Sequence, residues 1–356
     1  MSSQIPPAVP PGPPLPAMFA RYKDLVEEGL AAIVPFPGLD ELNVPLQYHL
    51  GWVDQDGNPA ATPASQGKAL RPTLCMFACE ALGGDLAHAV SAAAAIELIH
   101  NFSLIHDDIQ DQDMERRHQP TVWSIWGQPK ALVAGDSMQC LGDLSVLRGA
   151  QLGVSPGTAV RVSRILTEGY LDMIEGQCLD LGFEGRTTIT TDEYLHMIAC
   201  KTGALIRCSV EIGAVLANDD PQVTAAFASF GDYLGRAFQI RDDYLGVWGD
   251  EVATGKSTES DIRRRKKSFP AVFALDRASG GARQDLHRIY AQEELSDSDV
   301  ERVMTIMDEL GAPQYANRLT SESAEQATLA LAGVDLPGWV RDEVDQLVDF
   351  LARREF

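Results

Sequence analysis

No two cysteines stand at the CxxC spacing of a redox or zinc motif. The six present (Cys75, Cys79, Cys140, Cys178, Cys200 and Cys208) lie in apolar, helix-like surroundings. They read as reduced thiols, which fits a cytoplasmic chain. Cys75 and Cys79, at i and i+4, could chelate a metal, but packing in a core is the preferred reading. Basic residues are scarce: 29 Lys and Arg against 51 Asp and Glu leave a net charge of −22. That balance argues against a nucleic-acid partner and against a polybasic membrane anchor, but not against anionic substrates, which local arginines and metal ions decide. No apolar run approaches the ~20 residues of a membrane span, so none is expected. The N-terminus has no charged segment leading into an apolar core, so no signal peptide is expected either. No fixed-period repeat is found, and no mid-chain linker rich in Pro, Gly or Ser divides the 356 residues. With 45% hydrophobic residues, one large domain has enough to fill its core.

One segment departs from this evenness. Residues 1–16 carry seven prolines and are expected to form a polyproline-like or disordered tail outside the fold, solvated or offered to a docking partner. The domain proper is then 17–356. Helical periodicity is expected over residues 16–33, 73–82, 86–106, Thr121 to Leu147, 156–181, Thr191 to Leu216 and 223–248, and from 271 onward as amphipathic helices, with a loop at 51–66.

The chemistry concentrates in Glu97 to Thr121, ELIHNFSLIHDDIQDQDMERRHQPT. On a helix, Asp107, Asp108 and Asp111 fall at i, i+1 and i+4, within one arc of the surface, with His100 two turns behind. Carboxylates that close repel and retain protons unless a cation joins them, and a hard divalent ion such as Mg²⁺ takes oxygen ligands of this kind. Arg116 and Arg117 follow, before Pro120, and are expected on a loop near the metal end. Metal and guanidinium together suit a shared polyanion, most economically a diphosphate. A solvated helix end would carry similar charge. A second acidic pair, Asp242 and Asp243 in FQIRDDYLGVWGD, argues against that, because it too follows an apolar helical stretch.

DDxxD alone is a weak signal. Here the order is Gly67-Lys68-Ala69-Leu70-Arg71-Pro72, Asp107-Asp108-Ile109-Gln110-Asp111, Arg116-Arg117-His118-Gln119-Pro120-Thr121, Gly176-Gln177-Cys178-Leu179-Asp180, Lys201-Thr202, and Phe238-Gln239 with Asp242-Asp243. In that order, from about Gly67 to Pro270, the chain resembles the trans-isoprenyl diphosphate synthases of the polyprenyl synthetase family, in particular geranylgeranyl diphosphate synthases. The resemblance implies an all-α, single-domain isoprenoid synthase bundle of helices around a central cavity. It also implies a Mg²⁺-dependent prenyltransferase joining isopentenyl diphosphate to an allylic diphosphate, and a homodimer.

Residue by residue, the resemblance implies that Asp107, Asp111 and Asp242 hold three Mg²⁺ ions. Asp108 belongs to the same catalytic cluster, and Asp180 acts behind the metal. Arg116, Lys201 and Lys266 would neutralise the leaving allylic diphosphate, with Thr202, Gln239 and Lys256 also contacting substrate. Lys68, Arg71, His100 and Arg117 would hold isopentenyl diphosphate. The family's second motif usually ends in a third aspartate; here Gly246 stands in its place, with Asp243 expected to act through water and Asp250 one possible substitute. The basic run after Asp261 suits a closing loop better than nucleic acid in so acidic a chain, and Arg353-Arg354 resembles a basic end that covers the site. Product length would be set by Phe102 and Ser103, five and four residues before Asp107. An aromatic at the fifth position only resembles geranylgeranyl synthases; aromatics at both would favour farnesyl. Farnesyl or longer-chain synthases, a class I terpene cyclase on the same fold and a non-catalytic regulatory subunit are the alternatives. GKxxRP and RRxxPT, together with the lack of an NDxxSxxxE motif, count against the cyclase, and the intact first aspartate motif counts against the subunit.

Overall fold

The computed structural model describes residues 15–60, 67–249 and 259–353, with side chains left undescribed at residues 260 and 353. Most of the proline-rich segment, Asp250, Lys256 and Arg354 therefore lie outside the described residues. The elements, in order, are α1 (Ala17–Ala31), α2 (Asp40–His49), α3 (Leu70–Ala81), α4 (Leu86–Gln110), β1 (Glu115–Arg116), β2 (Gln119–Pro120), α5 (Val122–Trp126), α6 (Gln128–Arg148), α7 (Pro156–Phe183), α8 (Thr191–Ile198), α9 (Ala204–Ala217) and α10 (Pro221–Trp248). After the gap come α11 (Ser260–Arg263), α12 (Phe269–Arg277), α13 (Gly280–Tyr290), α14 (Asp297–Glu309), α15 (Ala312–Ala330) and α16 (Gly338–Arg353). The two-residue hairpin β1–β2 is antiparallel, pairing Glu115 with Pro120 and Arg116 with Gln119.

α4 is the axis. Its alanine run, Ala92 to Ala95, is buried on every side, and the absence of longer side chains lets α3, α6 and α1 pack against it. By length and composition α4 is the one described helix apolar enough to cross a membrane, although no such run was expected from the sequence. Two-thirds of its apolar window is buried inside the protein, as befits a core helix. Asp85 caps it, its side chain accepting from Ala87 N at 2.9 Å. α9 lies between α3, α7 and α10, and α15 covers α10. The end of the chain returns to its beginning: Phe350 meets Phe19, and Arg21 bridges to Glu343.

Two expected helices are interrupted. The stretch Thr121 to Leu147 breaks at Gly127, whose φ of 82° no helix tolerates, giving α5 and α6. The stretch Thr191 to Leu216 contains a π turn, Ala199–Gly203, between α8 and α9. The π turn widens the helix where Lys201 and Thr202 sit, a distortion often found at functional sites. Arg116 and Arg117 lie in the hairpin rather than in an irregular loop.

Candidate active site

α4 runs into its acidic segment, so Asp107 and Asp108 occupy the last turn and Asp111 is the C-cap. Their environments diverge. Asp108 is 1% exposed, and its Oδ1 accepts from Arg116 Nε at 2.8 Å and Nη2 at 2.7 Å. Asp107 and Asp111 instead share the field of Lys201 and Asp180. Burial pushes the Asp107 carboxyl up to about 6; Lys201 opposes this and Asp111 adds to it. Asp111 is raised for the same first reason, against Lys201. Carboxylates held in this way favour a cation that would relieve them.

Lys201 comes from the π turn and pairs with Asp180 of α7. Gly176 explains the approach: a Cβ there would lie 2.1 Å from Lys201 N, so only glycine lets α7 touch the turn's backbone. Gly235 plays the same part on α10, its missing Cβ facing Gly203 Cα at 2.7 Å. From α10, Gln239 spends both ends of its amide inside the protein. Thr202 Oγ1 donates to its Oε1 at 2.7 Å, and its Nε2 donates to Asp243 Oδ1 at 2.9 Å. Asp243, 1% exposed, also receives the Tyr194 hydroxyl and, at 3.1 Å, the first amide of α12 at Phe269. Asp243 thus ties α8, α10 and α12 together through direct hydrogen bonds. Asp242, its neighbour, is exposed.

Gly246 has a structural reason that the sequence does not show. A Cβ at that position would lie 2.5 Å from Asp261 Oδ2. The carboxylate of Asp261 therefore occupies the ground that a third aspartate of the second motif would take. Lys266 follows, its amide donating to Asp261 O at 2.8 Å. Desolvation would lower the Lys266 ammonium, but Asp261, Asp243, Asp242 and Asp180 together raise it above the ordinary lysine range. Lys266 thus stands among the acidic groups of α7 and α10.

Among the described residues, no three Asp, Glu, His or Cys side chains converge closely enough to cage a metal. The oxygen donors Asp107, Asp111 and Asp242 nevertheless fit Mg²⁺, which typically takes one or two carboxylates and completes its shell with water and substrate phosphates.

A second pocket opens about two turns back along α4, at Glu97 and His100. Gly67, Lys68, Arg71, Glu97, His100, Arg117, Phe238 and Phe350 line a cavity of about 200 Å³. Arg71 Nη1 lies 3.2 Å from His100 Nε2, so the ring accepts there; burial and then Arg71 hold His100 well below its usual pKa, that is, neutral. Burial lowers Arg71 to about 10, with Glu97 opposing. Arg117 lies against Gly67, where a Cβ would meet its Nη2 at 2.6 Å. Arg117 and His118 both adopt left-handed φ, 53° and 62°, a conformation costing roughly 1–2 kcal/mol per non-glycine residue. Local strain of this kind persists where the surroundings over-determine a functional turn. Lys68 stacks on the Phe350 ring at 5.3 Å.

The structure brings Asp107, Asp111, Lys201, Asp242 and Lys266 to one cleft and Lys68, Arg71, His100 and Arg117 to the other pocket. Asp108, Thr202 and Gln239 are engaged in bonds within the protein. One turn before the aspartates, Phe102 is 5% exposed and meets His106 edge-on at 5.2 Å, while Ser103 Oγ donates to His100 O at 2.8 Å. Sequence reasoning missed Glu97 as a pocket residue and used Asp261 only to place Lys266.

The polyprenyl synthetase family model matches residues 58–307. The chain is 40% identical over 309 residues to a geranylgeranyl diphosphate synthase of Mycobacterium tuberculosis, covering 86% of this chain and 85% of that one. It is 36% identical over 315 residues to a (2E,6E)-farnesyl diphosphate synthase of the same organism, covering 87% and 85%. The crystal structure of a polyprenyl synthetase from Streptomyces coelicolor A3(2) matches with a TM-score of 0.86 at 36% identity, over 94% of this chain and 98% of that one.

Two predictions follow from the geometry. Gly246→Asp, which nominally restores a third aspartate, displaces Asp261 and lowers kcat about tenfold, the lower end of what is typical for disturbing a group behind a metal site; an unchanged or raised kcat would show that Asp261 has no such place. The second concerns pH. The Asp107 and Asp243 carboxyls are raised to about 6, above their unfolded value, so their contribution to stability is present at low pH and is lost as pH rises through about 6. A divalent ion relieves Asp107 once it is charged. Mg²⁺ therefore raises the melting temperature more at about pH 7 than at about pH 5, and calorimetry showing equal shifts contradicts this.

Proposed function

The chain belongs to the polyprenyl synthetase family and is a prenyltransferase, an isoprenyl diphosphate synthase; from that premise we propose that it elongates an allylic diphosphate with isopentenyl diphosphate to geranylgeranyl diphosphate. The observation that carries condensation is the pair of pockets flanking the end of α4, one acidic and one basic. A cyclase needs only the first. The basic cavity of Lys68, Arg71 and Arg117 suits a second diphosphate, which His100, accepting from Arg71 through Nε2, can meet only through Nδ1–H.

Asp107, Asp111 and Asp242 would hold Mg²⁺, three ions in our reading, and the metal would supply positive charge to the departing diphosphate. Arg116, Lys201 and Lys266 add fixed cations where negative charge develops. Arg116 is oriented for this by Asp108. Lys68, Arg71, His100 and Arg117 hold the diphosphate of isopentenyl diphosphate so that its alkene faces the allylic carbon, which makes coupling effectively unimolecular. The apolar wall of α4 keeps water from the allylic cation, and the released diphosphate takes the proton. Phe102 closes that wall one turn before Asp107, and Ser103 leaves room beside it, which favours the geranylgeranyl product. Its relatives named as farnesyl and geranylgeranyl synthases are similarly close, so the assignment rests on these two positions.

We further propose a homodimer through α6 and α7. Val133, Cys140, Leu144 and Leu147 form one exposed stripe on α6, and Val160, Leu171, Ile174, Cys178 and Leu181 another on α7, with Val160 71% exposed and Leu171 55%. An apolar surface of this extent is covered in a stable protein.

Incubation with Mg²⁺, isopentenyl diphosphate and, separately, dimethylallyl, geranyl and farnesyl diphosphates is expected to give linear twenty-carbon diphosphate, and Phe102→Ala longer product. An unchanged length in the variant removes Phe102 from the floor. A cyclised hydrocarbon from allylic substrate alone, or no metal-dependent turnover, favours the cyclase or the regulatory subunit. Leu171→Glu is expected to sediment as a monomer where the parent chain sediments as a dimer; a monomeric parent refutes the interface.

A further inference from the structure

α2 ends against the arginine hairpin with two successive side chains. Tyr48 donates its hydroxyl to Pro120 O at 2.8 Å and packs edge-on against Trp126. His49, next to it, borders a cavity of about 30 Å³ whose other walls include Asp108, Arg116, Arg117 and Thr121. Two buried polar atoms at this cavity have no hydrogen-bond partner: His49 Nε2 and Asp108 Oδ2.

Their chemistry is constrained. Arg116 is bonded to Asp108 Oδ1, leaving Oδ2 as an acceptor in need of a donor. Asn101 is the side chain that opposes the effect of burial on the His49 ring. Asn101 Nδ2 already donates to Glu97 O at 2.7 Å and to Glu97 Oε1 at 3.2 Å. With both amide hydrogens used, Asn101 has only Oδ1 to offer the His49 ring, and we assign the ring hydrogen to Nδ1 on that ground. Nε2 is then a bare lone pair. Burial, with Arg116 and Arg117, keeps the ring neutral by holding its pKa down to about 3. A small void with two acceptors that no protein donor reaches calls for a molecule that donates twice. A buried water needs only ~10–15 Å³ of such space and two to four polar partners. An ammonium ion would stand beside two guanidinium groups.

We propose that one water molecule fills this cavity, giving one hydrogen to His49 Nε2 and the other to Asp108 Oδ2, and that His49 is a positioning residue for the Asp108–Arg116 pair. A single hydrogen-bonded line then runs from Glu97 in the basic pocket through Asn101, His49 and the water to Asp108 and Arg116. His49 reaches the metal-binding turn of α4 from behind, without touching substrate. The second half of the proposal builds on the prenyl-transfer reading; the water itself does not.

A high-resolution crystal structure of the full chain is expected to show one ordered water within hydrogen-bond distance of both atoms. A dry cavity, or an imidazole turned to bond Asp108 directly, overturns the proposal. His49→Phe keeps the ring volume and removes the acceptor. It is expected to raise the Mg²⁺ concentration for half-maximal turnover about tenfold, the lower end of what is typical for residues behind a metal site. The same shift is expected in the Mg²⁺ dependence of the melting temperature, which needs no turnover. His49→Gln, with an acceptor oxygen, restores both. A His49→Phe variant that melts lower without metal yet keeps the parental Mg²⁺ midpoint has lost only packing, and that result refutes the positioning role. If the parent chain transfers no prenyl group, the functional assignment fails while the crystallographic water and the melting midpoint still decide on His49.

Discussion

Carboxylates crowded into a poorly hydrated cleft cannot all stay ionised unless cations stand among them. The ends of α4, α7 and α10 and the segment after Asp261 bring Asp107, Asp111, Asp180, Asp242, Asp243 and Asp261 within reach of one another. Three devices relieve the repulsion. Asp108 is sealed behind Arg116, Asp243 is covered by hydrogen-bond donors, and Lys201 and Lys266 stand between the remaining acids. The charge left over on Asp107 and Asp111 is what a divalent ion and its diphosphate would meet. A strongly acidic chain can in this way serve anionic substrates.

The cleft is held by backbone contacts more than by long side chains. Gly176 and Gly235 let α7 and α10 press onto the π turn from two directions, fixing Lys201 and Thr202 by main-chain contact. Gly246 gives its space to Asp261 in the same manner. Beyond the end of α4, the hairpin that holds the left-handed pair Arg117-His118 sends one arginine toward each pocket: Arg116 to Asp108, Arg117 to Gly67. The two pockets thus share one hairpin.

Helices and motif order were legible because both are local. A periodic apolar face announces a helix, and the aspartates lie at helical spacing within one segment. What escaped was non-local. Gly127 reads like any tolerated helix glycine until its φ is known. The π turn has no signature of its own; its trace is the glycine at 176, whose partner lies 25 residues further along the chain. Asp261 could not be matched to Gly246 from spacing alone, since the intervening chain can fold in many ways. The difference between Asp242 and Asp243 is one of helix face, set by α8 and α12. His49 carries no sequence signal; its place beside Asp108 and Arg116 is set by the hairpin against which α2 ends.

Phe350 ties the basic cavity to the docking of the last described helix. Its ring lies over Lys68 and, with Leu351, forms one wall of the basic cavity, whose other described walls, Phe19 apart, come from residues 67 to 238. The basic cavity therefore lacks a wall until α16 has folded back on α1, where Phe350 meets Phe19 and Glu343 meets Arg21. Closing this pocket and docking the two ends of the described chain are one event, so whatever loosens α16 opens the basic cavity.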